Sequence, residues 1–465
     1  MPTATSRRPP RRHSSTAVGM IAGAKGKGRP RAEEEEGQGL DHISDLPDAV
    51  LGDIVSRLPT KDGARTQVLS PRWRLIWLSA PLNLDLHFHP IPLGVVPRIL
   101  SSHGGPGRRF STPVRCYAYK EDLSGLSVET LDDWLRSPAL DNLQELEFGY
   151  GIPGRDRGNP PPLPTSALRF SCTLRIARFR VCSFPDGINV RLPLLQELGL
   201  SEVVISESSL QALLAGCPVL QTLHFMFIGI SCSNNGCSRV RIASPTLRSI
   251  DVTSGSGDLN LQQLIIEDAP CLERLHHEDT SGRGKIMDIL MISAPKLGIL
   301  GSLDDDSGRF QIGTAVFQGL RLVTTTAVVC SVKIIALTNT KLSLDVILNI
   351  MRCFPCLEEL NIRTLLKGKK NVWGPEYRNL INAREIHLKK LVLINYEGDE
   401  SHVNFVKFFV LKARVLESIR LKLLYSEVTS GWIEGQHRLL KFEKRASRSA
   451  KLDFVSCDSK YYSEL

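Results

Sequence analysis

The hydrophobic positions in the middle of the chain recur in one unit, Pro-x-Leu-x-x-apolar-x-apolar. It reads PLLQELGL from Pro193, PVLQTLHF from Pro218, PTLRSIDV from Pro245, PCLERLHH from Pro270, PKLGILGS from Pro295 and PCLEELNI from Pro355. Successive prolines are 25, 27, 25, 25 and 60 residues apart, and the last interval has room for another unit centred on VKIIAL at 332–337. NLQELEFGY from Asn142 is an earlier copy without the proline, and TLRIARFRV from Thr173 is a looser one. The two apolar positions after the leucine lie two residues apart, so both point to one side of a short strand. Leu198, Leu200, Leu223, Phe225, Leu360 and Ile362 are therefore expected to be buried.

Between these strands the pattern changes to helical spacing. SESSLQALLAGCP starts on a capping Ser206, places Leu210, Leu213 and Leu214 inward, and stops at Gly216 and Pro218. Ser343, Val346, Ile347, Ile350 and Met351 repeat the arrangement, as do Ser127, Leu131, Trp134 and Leu135. No single unit can bury its apolar face, so the units must stack. The period lies within the roughly 20–29 residues of leucine-rich repeats. The predicted fold is an α/β solenoid: a curved, mostly parallel sheet with helices or turns on its convex side. The concave strip would carry the intervening residues Glu145, Glu147, Thr222, His224, Ser249, Asp251, Arg274, His276, Glu359, Asn361 and Arg363. Its mixed sign suits a protein partner better than a phosphate backbone, although a solvated face accounts equally well for any single one of them.

Beyond about Ile386 the pattern reads strand HLKKLVLINY, helix HVNFVKFFVLKA and strand LESIRLKLL. A basic helical stretch, WIEGQHRLLKFEKRASRSA, and KLDFV follow. This α+β piece, 386–465, is expected to cap the solenoid's C-terminal edge, where an uncapped repeat would leave apolar surface wet.

At the other end, DLPDAVLGDIVSRLPTK runs from Asp45 to Lys61 between two Leu-Pro pairs. Pro47 suits a first helical turn, Asp48 favours the positive end of the helix dipole, and Pro59 ends the element. Leu51, Ile54, Val55 and Leu58 fall on one helical face. Thr60 can cap a second helix. Ser70-Pro71 opens a third with Trp73, Ile76 and Trp77 on one side. A unit of roughly 40 residues rarely builds a sufficient core alone. Its apolar surface therefore points to docking, on another chain or on its own.

Composition changes this picture little. The chain has 465 residues, 42% hydrophobic and 23% charged, which is ordinary for a globular protein. It contains no apolar run long enough to span a membrane. Eleven scattered cysteines argue for a reducing compartment and free thiols. The net charge of +9 is uneven. Met1–Ala32 carries eight Lys and Arg and no acid, and Glu33–Glu36 follow. Residues 1–40 thus read as a disordered basic-then-acidic arm, a nuclear address or transit segment being the alternatives. The remainder is only mildly basic, so nucleic acid is not an expected partner.

No catalytic or metal constellation emerges. Cys353-x-x-Cys356 has no second pair to complete a zinc site. Cys232 and Cys237 read as free thiols, and His87 and His89 as strand alternation. TSGRGK lacks the first glycine and the hydroxyl residue of a phosphate loop. No metal, cofactor or intrinsic catalysis is expected.

The opening stretch resembles the plant F-box. The matching residues are Asp41, Ile43, Leu46-Pro47-Asp48, Leu51, Ile54, Ser56, Leu58-Pro59-Thr60-Lys61, Thr66, Val68-Leu69-Ser70, Arg72-Trp73-Arg74, Leu75 and Trp77, with Gly52 a departure inside the first helix. The repeats resemble those of plant F-box/leucine-rich-repeat proteins. NFVKFFVLKARVLESIRL and WIEGQHRLL resemble the FBD domain that often ends such chains. The resemblance implies an F-box at 41–80, leucine-rich repeats at 81–385 and an FBD-like domain at 386–465. It implies a non-catalytic substrate receptor of an SCF-type E3 ubiquitin ligase, working in the nucleus and/or cytoplasm. Leu46, Pro47, Leu51, Ile54, Leu58, Pro59, Leu69, Trp73 and Trp77 would form or support the surface for a Skp-type adaptor, which joins a cullin. The concave strip would hold an unidentified target protein. The alternative is an adaptor-bound scaffold that ubiquitylates no target.

Overall fold

Fourteen strands stand side by side in chain order, each parallel to the next. They are β1 (Leu82–Asp85), β2 (Gly107–Ser111), β3 (Glu145–Gly149), β4 (Ile176–Arg180), β5 (Glu197–Ser201), β6 (Thr222–Met226) and β7 (Ser249–Ser254). Then come β8 (Arg274–Asp279), β9 (Ile299–Leu303), β10 (Ile334–Thr340), β11 (Glu359–Thr364), β12 (Lys390–Ile394), β13 (Ser418–Leu423) and β14 (Lys451–Ser456). The structure, a computed structural model, describes residues 43, 45–87, 91–113, 127–150, 160–231, 238–255, 261–280, 287–324, 328–340, 342–364, 386–423 and 429–456. The basic arm, Glu33–Glu36, Asp41, His89, Cys232, Cys237 and most of TSGRGK lie outside them. The chain divides into two units, Met1–Leu46 and Pro47–Leu465.

The register explains the repeat. Leu146, Ala177, Leu198, Leu223, Ile250, Leu275 and Leu300 are cross-strand partners in one buried row, which Ile335, Leu360, Leu391 and Ile419 continue. A second row runs Phe148, Phe179, Leu200, Phe225, Val252 and His277. The six residues expected in the core are all buried. The leucine of each Pro-x-Leu is buried just before its strand, and Val332 takes that place in the 60-residue interval.

Nine-residue α1 (Asp48–Ser56) leads a series of helices: α2 (Thr60–Arg65), α3 (Pro71–Ser79), α4 (Val96–Ser102), α5 (Val128–Leu135), α6 (Glu207–Ala215), α7 (Leu344–Cys353), α8 (Glu400–Lys412) and α9 (Ser430–Leu439). From α4 onward their apolar sides join the core that backs the sheet. Ser127 and Ser206 cap α5 and α6 through their side chains; Ser343 holds the N-cap position of α7 without such a bond.

Helices and turns were expected throughout the layer behind the sheet. Behind the central repeats that layer is instead a six-stranded sheet. Arg239–Ala243, Gln263–Asp268, Asp288–Met291 and Arg309–Ile312 are parallel, and Ala315–Gln318 and Arg321–Thr324 complete it antiparallel. Val240 and Ile242, Leu264 and Ile266, Ile289 and Met291, and Phe310 and Ile312 alternate inward in pairs, a strand period. The C-terminal piece caps the sheet by continuing it. β12, α8, β13, α9 and β14 repeat the strand–helix unit in register and extend the main sheet to its last strand. Among the described residues, no helix is long and apolar enough to cross a membrane.

Candidate docking surfaces

The helical unit before β1 divides its apolar residues between inside and outside. On α1, Leu51 and Val55 are buried, whereas Val50, Ile54 and Leu58 at its end are exposed. The single apolar face read from spacing is therefore split: the side of α1 that carries Leu51 and Val55 is covered, and the side that carries Val50 and Ile54 is not. Ile76 and Trp77 of α3 turn inward, and Leu75 is 70% exposed. Val68 and Leu69, in and after the 3-10 turn Thr66–Val68, are 86% and 63% exposed. Pro47 is exposed; Pro59 and Trp73 are half-buried. Leu46, half-buried, belongs to the first unit. Of the residues expected at an adaptor surface, then, Pro47, Ile54, Leu58 and Leu69 are presented to solvent, and Leu51 and Trp77 support them from within.

Local chemistry holds this arrangement. Asp48 at the start of α1 pairs with Arg72 of α3 at 2.7 Å. Gly63 of α2 lies against the Trp77 ring, where an added β-carbon would sit 2.6 Å from Cζ3. Thr60 is the first residue of α2 and not its cap; its hydroxyl donates to the Asn83 carbonyl. The Asn83 amide in turn donates to the Ser56 carbonyl. The three helices are thus fastened to β1 and through it to the sheet. His103 packs edge-on against Trp77 at 5.5 Å and bonds the Ala80 carbonyl at 2.8 Å.

The open face of the sheet, opposite the core, carries the strip expected to bind a target. In its N-terminal half the charges answer one another. Arg109 lies 3.4 Å from Asp85, 3.8 Å from Glu145 and 3.9 Å from Glu147. Glu147, nearly buried, also meets Arg180 at 2.9 Å. Arg178 grips Glu197 through two nitrogens at 2.6 and 2.8 Å. His224 stands 3.7 Å from Glu197 and 3.0 Å from Asp251, and Arg274 reaches Asp251 at 3.9 Å. Burial would raise the Asp251 carboxyl, but the His224 contact and the positive charge of Arg274 hold it below the usual range. Burial pushes the His276 imidazole down. Gly199 and Gly301 leave room for Arg178 and His276 to lie across the neighbouring strand. Farther along, Glu359 accepts from Lys390 at 2.9 Å and from Asn361 at 3.1 Å. Thr222 and Arg363 are half-buried on the same face.

Val50, Val68 and Leu75 on the helical unit lay outside the expected adaptor surface, although Val68 and Leu75 stand in the F-box match; Arg109, Arg178 and Arg180 on the sheet went unremarked. The two arginines of ARFR alternate with core residues in TLRIARFRV, and that spacing was a usable signal. Among the described residues, no group of three His, Cys, Asp or Glu could hold a metal. Cys353 is buried and Cys356 exposed, so that pair does not face one site. Burial pushes the Cys182 and Cys217 thiols up to about 12, which leaves them protonated and inert.

Known families match these same segments. An F-box domain model matches residues 43–85, a model of the LRR repeats of the FBD-associated F-box protein At5g56370 matches 131–362, and an FBD model matches 381–421. This chain is an F-box/FBD/LRR protein. It is 24% identical over 453 residues to the putative FBD-associated F-box protein At5g22720 of Arabidopsis thaliana, covering 88% of this chain and 93% of the relative. The putative F-box/LRR-repeat protein At3g42770 of the same plant is 24% identical over 81% of this chain and 73% of its own length. The putative F-box/FBD/LRR-repeat protein At2g05300 is 32% identical over 187 residues, where the chain spans only 40% of the relative's length. The F-box match runs through β1, so the F-box and the sheet share a strand.

Proposed function

We propose that this F-box protein is the substrate-recognition subunit of an SCF-type ubiquitin ligase. The observation that carries the reading is the set of exposed apolar side chains on α1, the 3-10 turn and α3, since a solvated surface has little use for Val50, Ile54, Val68, Leu69 and Leu75 together. A Skp-type adaptor would cover them and join the chain to a cullin. The open face of the sheet would hold a target protein, with Glu145, Glu147, Thr222, His224, Asp251, Arg274, Glu359, Asn361 and Arg363 contributing contacts or the ion pairs beneath them. Catalysis would be proximity, by raising the target's effective concentration near a ubiquitin-loaded enzyme. The chain itself supplies no acid, base or cofactor, and it works in the nucleus and/or cytoplasm. The test is reconstitution with adaptor, cullin and a captured target. Ubiquitylation that needs an intact F-box supports the receptor; adaptor binding with no ubiquitylated target supports a scaffold.

A further inference from the structure

The chain's positive charge is concentrated at its two ends. Residues 37–385 hold thirty-six Lys and Arg against thirty-five Asp and Glu, whereas 386–456 hold thirteen against eight. Part of that C-terminal excess is displayed on the open face. On β13, Ile419, Leu421 and Leu423 turn into the core, so Arg420 and Lys422 share the opposite face about 7 Å apart. On β14, Lys451 stands opposite Ser418, Asp453 opposite Arg420, and Val455 opposite Lys422. Arg420 and Lys451 are exposed and Lys422 is half-buried.

These cations differ from those of the N-terminal half. There Arg109, Arg178 and Arg180 are held by carboxylates of the same face. Lys390 is likewise held by Glu359. Among the described residues, Arg420, Lys422 and Lys451 enter no such pair. Asp453 is the one carboxylate set among them in register, and Val455 adds an exposed aliphatic side chain.

We propose that the open face of β13 and β14 is a docking surface for an acidic peptide segment. Opposite charge would supply orientation and on-rate, and Val455 an apolar foothold. The patch fits a peptide better than a nucleic acid. Its cations do not form a long track, a carboxylate sits among them, and no aromatic side chain of β13 or β14 shares that face to stack a base. The inference rests on the receptor reading only in taking the segment to belong to a target.

The test uses the full chain and a fluorescently labelled twelve-residue Glu/Leu peptide, with a Gln/Leu peptide and a single-stranded oligonucleotide as competitors. The acidic peptide should bind at least tenfold more tightly than the neutral one. Arg420→Gln, Lys422→Gln and Lys451→Gln together should remove at least tenfold of that affinity, and Asp453→Asn should increase it. Adaptor binding by the triple variant, measured alongside, reports its folding and stays unchanged. Equal binding of the two peptides, full retention by the triple variant, or an oligonucleotide that outcompetes the peptide through these three residues would overturn the proposal. Loss of adaptor binding in the unaltered chain would instead count against the receptor reading.

Discussion

Leu51 and Ile54 lie one turn apart on α1 and have opposite fates: Leu51 is fully buried, and Ile54 is 44% exposed. The helix thus serves as both core and surface. Leu51→Ala should cost about 2–5 kcal/mol, the usual range for a large-to-small change in a packed core. Ile54→Ala should cost well under half as much. Chemical denaturation of the two variants, followed by intrinsic tryptophan fluorescence, checks the difference.

The open-face ion pairs lead to a second expectation. Glu147 is nearly buried, with Arg180 at 2.9 Å and Arg109 at 3.9 Å. Removing it would leave two arginine charges facing each other in a partly dry setting. Glu147→Ala should therefore destabilise the chain by about 1–3 kcal/mol, less than the 3–5 kcal/mol of a fully buried pair because both arginines reach solvent. Asp62→Ala, which breaks an exposed pair with Arg65, should cost under about 1 kcal/mol. Comparison of the two melting temperatures settles the order.

His277 supplies a pH dependence. It occupies a core row beside Val252, with Ser254 Oγ 3.4 Å from its Nε2, and Asp279 and His276 as its charged neighbours. Burial pushes its imidazole down to about 4, against about 6.5 in an unfolded chain. Between those values the unfolded state binds a proton that the folded state does not, so stability falls as the pH falls. The loss begins near pH 6.5 and is complete below about 4, and amounts to about 3 kcal/mol. His103 and His402, also lowered by burial, act in the same direction. Urea titrations from pH 7.5 to 4.5 should show this slope, and His277→Phe, which places in the row the residue type found at Phe225 two strands away, should flatten it.

The main sheet was legible in the sequence because its repeat is strict: one leucine and two inward residues recur at nearly constant spacing. The second sheet was missed because RVRIA, QLIIED and DILM are too short to stand out, and their alternation gains meaning only when they stack. The F-box helices were legible from prolines and spacing. Their division into core and surface was not, since spacing cannot say which side of α1 meets α3. Asn83 was invisible for a similar reason: its partners Ser56 and Thr60 lie more than twenty residues away in sequence.

The exposed apolar residues of the F-box should form the adaptor surface. The most direct measurement is the Kd of a purified Skp-type adaptor for the full chain and for its Ile54→Asp, Leu69→Asp double variant. Both side chains already face solvent, so the variant should keep its melting temperature within a few degrees. Truncation of central interface anchors costs 2 kcal/mol or more, and a buried unpaired charge adds to that. Affinity should therefore weaken more than tenfold, each 1.4 kcal/mol being a factor of ten. An unchanged Kd in a variant that remains folded would contradict it.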